Sequence, residues 1–519
     1  MSLSIGVTDK NDFMSGPKLS WNEELGLCRQ DGPGHTAPVS EMSYVHNGVY
    51  SATRLGLLAQ RGELDTLTAL ATLRSFRAMQ VTAGGDRQGC LRWYWEEKEP
   101  VDTNASFFIG MALMMLYLAE GEKLDESVRA AVREIVTDLA VWFGQELQIE
   151  DPIYPNKYMG DLVCNWLAGE VLGREPSDKL LSKTRSWCDY WRLEHWGWGE
   201  HMSAVYSMVL LNEMSAVLLF CRSMPDEVRS DFRGLFENLM AINDRYGQGP
   251  RVPVIRSYAF TGLAESLPYR DFIRPVQHST DMQSTSMISN LGGLYGAWYH
   301  REGWLEMAPP KQEMSSWVEV PCRDEATARA IVKTQIRIGA MSHYPIMENV
   351  DHQEWGLSWQ TFPAALWRPA GDWGFWRWST RAGDCERAHP AMSKATAYLG
   401  NALSTKVTPP PIPRMTSTLT QDGVLTLERT LPVPAEAEWD EVSDSFTILD
   451  SDAEITVDGA QLTLRWSDCV VVVKWQGEGF PEWRPESRGG SWVVHYDQAT
   501  LAGIDSLTHR WELTLTESE

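Results

Sequence analysis

Two segments of this 519-residue chain place proton-handling and anion-binding residue types close together. The first, Trp196-Gly197-Trp198-Gly199-Glu200-His201-Met202-Ser203-Ala204-Val205-Tyr206, stands at the entrance to an apolar helical stretch. Its glycines permit a tight turn, and Glu200 is electrostatically favoured beside a helix N-terminus. His201 and Tyr206, five apart, lie on neighbouring helix faces from which both can reach one cleft. The second segment, Gly247-Gln248-Gly249-Pro250-Arg251-Val252-Pro253-Val254-Ile255-Arg256-Ser257-Tyr258, has the Gly and Pro content of a loop, and loops on rigid scaffolds often carry function. Arg256 and Tyr258 alternate there, so in an extended stretch both side chains point one way. The arginine then offers a bidentate fork to a carboxylate, and the tyrosine can donate or accept a proton. The same residues also fit a structural role: a satisfied core histidine, an arginine fixing its own loop, a packed tyrosine.

Other polar patches are Ser342-His343-Tyr344-Pro345 and Glu348-Asn349-Val350-Asp351-His352. Glu348, Asp351 and His352 have spacings compatible with a metal, without a complete ligand set. Asp102-Thr103-Asn104 precedes an apolar helix and reads equally well as an N-cap, and Asn165-Trp166 stands near Glu170. The 24 tryptophans cluster around Trp93 and Trp95, around Trp187 to Trp198, and around Trp355 to Trp378. Their flat apolar faces suit sugar rings as well as ordinary packing, and those beside polar motifs, Trp95 and Trp198, are the ones expected in a groove.

The elements that must carry these residues change character along the chain. From about residue 44 to 300, apolar residues recur at three- and four-residue spacing in Ser51 to Gln80, Ala105 to Ala119, Glu126 to Gln145, Ser203 to Cys221 and Glu227 to Asn243. Such a series predicts stacked helical hairpins, closed into a ring or left as an open array. After about residue 315, short runs rich in Val, Thr, Ile and Trp take over, such as Thr334 to Met341, Val424 to Leu431 and Val470 to Trp475. The turn pairs Asp422-Gly423 and Asp458-Gly459 are hairpin chemistry, and Pro409, Pro410, Pro411 and Pro413 form a stiff connector between two sheet layers. The expected organisation is an extension over 1–43, a helical domain over 44–314 and an antiparallel β-sandwich-like domain over 315–519. Segregated helices and strands of this kind are an α+β arrangement and exclude Rossmann and TIM-barrel folds. Gly84-Gly85 and Gly292-Gly293 also lack a phosphate-loop context.

Composition narrows the partners. Hydrophobic residues make up 43% and charged residues 22%, as in a soluble globular protein, and the formal charge of −24 argues against nucleic acid and anionic membrane surfaces. The first twenty residues lack the apolar core of a signal peptide, so the chain is expected in the cytoplasm, or outside it with a leader removed. Eight scattered cysteines without a Cys-x-x-Cys pair are expected to be reduced and buried.

Gly199-Glu200-His201 leading into a helix with Tyr206, then Arg256-Ser257-Tyr258, then His343, resembles the order of functional segments in polysaccharide lyases of the heparinase II/III-like and oligoalginate lyase type. Asn165-Trp166 is similar to the Asn-Trp segment of chondroitin and hyaluronan lyases. The resemblance implies an (α/α) toroid followed by antiparallel sheets, and cleavage of a uronic-acid-containing poly- or oligosaccharide by β-elimination. Where those families carry an Asn-His pair, this chain reads Glu200-His201. In the implied mechanism, Arg256 with Asn165 neutralises the substrate carboxylate, His201 removes the C5 proton, Tyr258 or Tyr206 protonates the leaving oxygen, and His343 completes the site. Glu200, Trp198 and Trp95 would contact the sugar, and no cofactor is required. Two other readings remain open: a glycoside hydrolase drawing paired carboxylates from Glu200, Asp102, Glu170 and Glu348, and a non-catalytic glycan-binding protein with a Trp-lined cleft.

Overall fold

The structure, a computed structural model, describes residues 18–148, 155–193, 202–254, 269–273, 287–322, 325–343, 362–369, 371–382, 385–389, 414–433, 441–449, 451–477 and 479–517. It divides into two compact units, one formed by Met1–Arg192, Met208–Met240 and Leu267–Pro310, the other by Leu193–Ser207, Ala241–Ser266 and Lys311–Glu519.

The helical unit opens with a three-stranded antiparallel sheet, β1 (Leu19–Asn22), β2 (Leu27–Asp31) and β3 (Tyr44–Asn47), within and just after the stretch expected to be an extension. The helices follow as α1 (Gly48–Arg61), α2 (Thr66–Met79), α3 (Ala105–Glu120), α4 (Glu126–Glu146), α5 (Pro155–Leu172), α6 (Asp178–Leu193), α7 (Ala204–Phe220) and α8 (Asp226–Tyr246). After them come the short α9 (Tyr269–Phe272), then α10 (Met287–Arg301) and the short α11 (Trp304–Met307). Ser51 to Gln80, expected as one helix, is two, because Asp65 starts a new one by accepting from the Thr68 amide at 2.9 Å.

Burial sorts these helices into two kinds. Along α3 and α5 nearly every apolar residue is buried, whereas α4 buries Val128, Val132, Ile135, Val136, Leu139, Trp142 and Phe143 at three- and four-residue spacing and turns its charged face outward. α3 packs against both α1 and α5. Ala105–Lys123 is apolar and long enough to cross a membrane by composition alone, yet here it is a largely buried helix inside the unit. Inner helices (α1, α3, α5, α7, α10) thus alternate with outer ones (α2, α4, α6, α8).

α10 closes the ring. The Gln60 amide of α1 donates to the Leu294 carbonyl, the Tyr299 hydroxyl donates to the Asn212 carbonyl of α7 at 2.8 Å, and Glu120, at the end of α3, accepts from Trp298 Nε1 at 2.9 Å and Arg301 Nη1 at 2.7 Å. Burial alone would raise the Glu120 carboxyl, but bonds from Lys123, Arg301 and Trp298 outweigh it and hold the group below the usual range.

In the second unit the strands form two antiparallel sheets. The larger has the order β16-β17-β12-β8-β7-β6-β5-β4, with β9 beside β8. Its strands are β4 (Trp317–Pro321), β5 (Thr327–Val332), β6 (Arg337–Met341), β7 (Ala364–Trp367), β8 (Trp373–Ala382), β9 (Cys385–His389), β12 (Glu441–Leu449), β16 (Glu482–Glu486) and β17 (Gly489–Asp497). The smaller has the order β10-β11-β18-β15-β14-β13, from β10 (Arg414–Leu419), β11 (Val424–Pro432), β13 (Glu454–Asp458), β14 (Gln461–Arg465), β15 (Cys469–Gln476) and β18 (Ser506–Glu517). The short helix α12 (Gln498–Leu501) lies between β17 and β18. Asp422-Gly423 and Asp458-Gly459 turn the β10–β11 and β13–β14 hairpins. β6 starts at Arg337 rather than Thr334, because Lys333 to Ile336 is a turn closed by the Lys333 amide on the Ile336 carbonyl. The polyproline stretch lies outside the described residues.

The sheets face each other across a buried polar knot. Asp444 of β12 accepts from Arg429 of β11, from His509 Nδ1 of β18 at 2.8 Å and from Trp511 Nε1 of β18 at 3.1 Å, all with next to no exposure. Trp378 stacks on the His509 ring with centroids 4.6 Å apart. Trp187, Trp191, Trp367, Trp373 and Trp376 are also buried, so the described members of those clusters serve packing. Of the eight cysteines, seven are described as free and buried. Asp444→Ala would leave a guanidinium buried without its partner, and the β-region should lose about 3 to 5 kcal/mol. Urea unfolding followed by near-ultraviolet circular dichroism would measure it, and an unchanged midpoint would mean that the knot carries no net energy.

Candidate functional site

The second flagged segment is held by two buried arginines. α8 ends at Tyr246, and Gly247 (φ 62°) and Gly249 (φ 109°) take the left-handed turn that reverses the chain. Arg337 of β6, 3% exposed, donates to the carbonyls of Pro250 at 2.6 Å, Tyr246 at 2.8 Å and Gln248. Arg251, 2% exposed, donates to Ser207 Oγ at 2.7 Å, and the Tyr246 hydroxyl donates to the Val252 carbonyl at 3.1 Å. Burial lowers Arg251 and Arg337 to about 10, which leaves both charged at neutral pH, and it raises the Tyr246 phenol, which stays a donor.

The same segment is pinned from the sheet side. At Gly339 of β6 a Cβ would fall 2.3 Å from the Val252 carbonyl carbon, so only a residue without a side chain lets the strand lie this close. Val254 and Phe362 exchange both backbone bonds, at 2.9 and 2.7 Å. Residues 246–254 are therefore tied to the first turn of α7, to β6 and to the residue ahead of β7.

Of the residues proposed from sequence, Tyr206 precedes Ser207 in α7 and is buried, its amide capped by Ser203 Oγ at 3.2 Å. His343 lies two residues beyond β6, bridged to Thr416, with Ser342 Oγ 3.4 Å from its Nδ1. Both belong to the second unit. Asn165 and Trp95 belong to the first, on separate elements. Asn165 is half-buried on α5. Trp95 is half-buried beside Arg92, whose guanidinium stands 5.9 Å from the ring, and its turn is held by the Glu97 carboxylate, which accepts from the Trp93 and Tyr94 amides at 2.9 and 3.0 Å. Trp198, Glu200, His201, Arg256 and Tyr258 lie outside the described residues, as do Glu348, Asp351 and His352 of the metal option. Among the described residues no group of three or more His, Cys, Asp or Glu side chains could hold a metal. Two of the hydrolase carboxylates have structural partners: Asp102 accepts from the Asn104 amide at 2.9 Å and pairs with His35 at 3.0 Å, while Glu170 accepts from the Ser223 amide at 2.6 Å.

Sequence reading passed over a charged centre in the helical unit. Lys157, near the start of α5, bonds both Glu146 and Asp161 and lies 5.5 Å from the Trp142 ring. Burial, reinforced by the Glu146 carboxylate, outweighs Lys157 and pushes Asp161 up to about 7. The i,i+4 spacing of Lys157 and Asp161 was the only sequence signal. A carboxyl raised on folding binds more protons folded than unfolded, so its stabilisation is full below the unfolded carboxylate range and is lost as pH rises toward 7. Asp161→Asn should flatten the fall in unfolding free energy between pH 5 and pH 8, measured by urea titration at both; an unchanged slope would contradict the raised carboxyl.

Arg251 and Ser207 should be energetically coupled. A double-mutant cycle with Arg251→Met and Ser207→Ala is expected to give about 1.5 to 3 kcal/mol, the usual worth of a hydrogen bond to a charged group. Strict additivity in urea unfolding would remove this bond from the account.

No protein-family model matches the chain, and no curated protein matches it in sequence. Among solved structures it is similar to heparinase III, with a TM-score of 0.50 and 9% sequence identity, over 90% of this chain and 76% of that one. At that identity the likeness is one of fold alone: a helical domain followed by antiparallel sheets.

Proposed function

We propose that the protein is a polysaccharide lyase that cleaves a uronic-acid-containing poly- or oligosaccharide by β-elimination. The supporting observation is the anchoring of residues 246–254. The Arg251–Ser207 bond ties this segment, which runs directly into Arg256 and Tyr258, to the helix that follows His201 and carries Tyr206. Arg337 and Gly339 tie it to the strand that precedes His343. The described residues that adjoin these three segments are thereby linked to one another, which supports the reading because proton transfer needs pre-organised groups.

In this reading Arg256 pairs with the substrate carboxylate and so acidifies the C5 proton. His201 takes that proton. The C5–H electrons form the C4–C5 double bond, the C4–O4 bond breaks, and Tyr258 or Tyr206 delivers a proton to the departing O4. Tyr206 is buried in the structure, which favours Tyr258 as the donor. The overall charge of −24 opposes a polyanion at long range, so recognition of the carboxylate falls to local charge, here that of Arg256.

The test is a screen of acidic polysaccharides and their oligomers for the ultraviolet absorbance of an unsaturated uronate. New reducing ends without that absorbance would indicate a hydrolase, and neither signal would leave glycan binding alone. On a cleaved substrate, Tyr258→Phe should lower turnover by about 100- to 10,000-fold, the usual worth of a positioned acid or base. Arg256→Lys should also be harmful, since a point charge cannot reproduce a bidentate fork. Turnover unchanged in both variants, with melting temperatures altered, would reduce these residues to structural ones.

A further inference from the structure

Asn165 lies outside the anchored segment and lines a cleft of its own. The cleft, about 240 Å³, opens between α4, α5, α6 and the turn that follows α7. Its floor is apolar, with Leu147, Trp166 and Leu180 among the lining residues. Several of its polar groups are already engaged: Trp166 Nε1 donates to Thr184 Oγ1 at 3.0 Å, Ser177 Oγ accepts from the Leu180 amide at 3.2 Å, and Ser223 Oγ donates to Glu170. Three others are not. Among the described residues, the Asn165 amide has no side-chain partner, and Arg174 and Lys179 are in no ion pair. Glu175 is the acidic member of the rim.

Two cations without carboxylate partners among the described residues therefore stand at the cleft, Lys179 half-buried and Arg174 exposed. Together with a half-buried amide over an apolar floor, they match an amphiphilic anion with one apolar face, hydroxyls at its edge and a carboxylate. Clefts for drug-sized ligands run from about 300 to 1,000 Å³, so this one suits a single ring. We propose that it is a glycan subsite of the helical unit, which holds one uronic acid unit through Lys179, Arg174 and Asn165. The assignment rests on the lyase reading only for the identity of the ligand. On a polymeric substrate, a contact of this kind raises the effective concentration of the chain at the protein.

Calorimetric titration of the full chain with the methyl glycoside of glucuronic acid tests the site. Saturable binding is expected. Lys179→Ala and Asn165→Ala should each weaken it by at least about tenfold, the loss of one bond to a charged or buried polar group. Both positions are partly exposed, and unaltered melting temperatures would show that the fold is intact; if one variant is destabilised, the other carries the comparison. Arg256→Ala should leave this binding in place. Methyl glucoside, which lacks the carboxylate, should bind at least about tenfold more weakly, and inorganic sulfate at equal concentration should not displace the uronate. The proposal is overturned by an absence of saturable binding, by binding insensitive to both cleft variants, or by binding lost in Arg256→Ala instead. Equal competition by sulfate would overturn the sugar assignment in favour of a simple anion site. An unsaturated product in the lyase assay is a separate readout, so either reading can fail without the other.

Discussion

A guanidinium removed from water needs acceptors for its donors, and that requirement shapes the second compact unit of this protein. Arg337 meets it with three carbonyls of one short turn, at Tyr246, Gln248 and Pro250. Those carbonyls can converge on one cation only because Gly247 and Gly249 fold the chain back on itself. Arg251, on the same turn, reaches away to Ser207 and so couples the loop to the start of α7. Loss of Arg337 would leave three buried carbonyls unpaired at once, and a buried unpaired group costs more than the bond itself contributes. The loop is therefore rigid although its composition is that of a flexible one.

The helical unit obeys a different constraint. Helices α3, α5 and α7 are apolar on nearly all sides, so they must be enclosed by the amphipathic helices and by one another. A ring meets this demand only if the last inner helix returns to the first, and α10 does so through polar contacts at its C-terminal half, with Glu120 accepting from two of its side chains.

In the β-region, specificity of pairing comes from a charge placed where water cannot reach. Asp444 has partners on two strands of the opposite sheet, and a slip of either strand by one residue would turn those partners to the other face. Aromatic rings fill the space around it, with Trp378 against His509 and Trp475 against Trp511. Much of the tryptophan content that reads as a sugar-binding signature is the interior of these sheets. Asn165, singled out from sequence, lines a cleft of the helical unit.

The sequence by itself determined what depends on neighbours along the chain. The change from helical to alternating periodicity near residue 315, the hairpins at Asp422-Gly423 and Asp458-Gly459 and the helices from Ala105 to Asn243 are written in spacings of a few residues, where backbone geometry acts directly. The break at Asp65 and the strands β1 to β3 were not legible, the first because a cap is only one residue and the second because their pattern is short and half polar. What only the tertiary structure decided are the pairings between distant residues. Arg251 finds Ser207 44 positions away, and Asp444 finds His509 65 positions away. Nothing in local periodicity distinguishes such an arginine or aspartate from one on the surface. Burial makes the difference, because only when water is excluded does a charge have to be met by a particular partner, and burial is a property of the assembled fold.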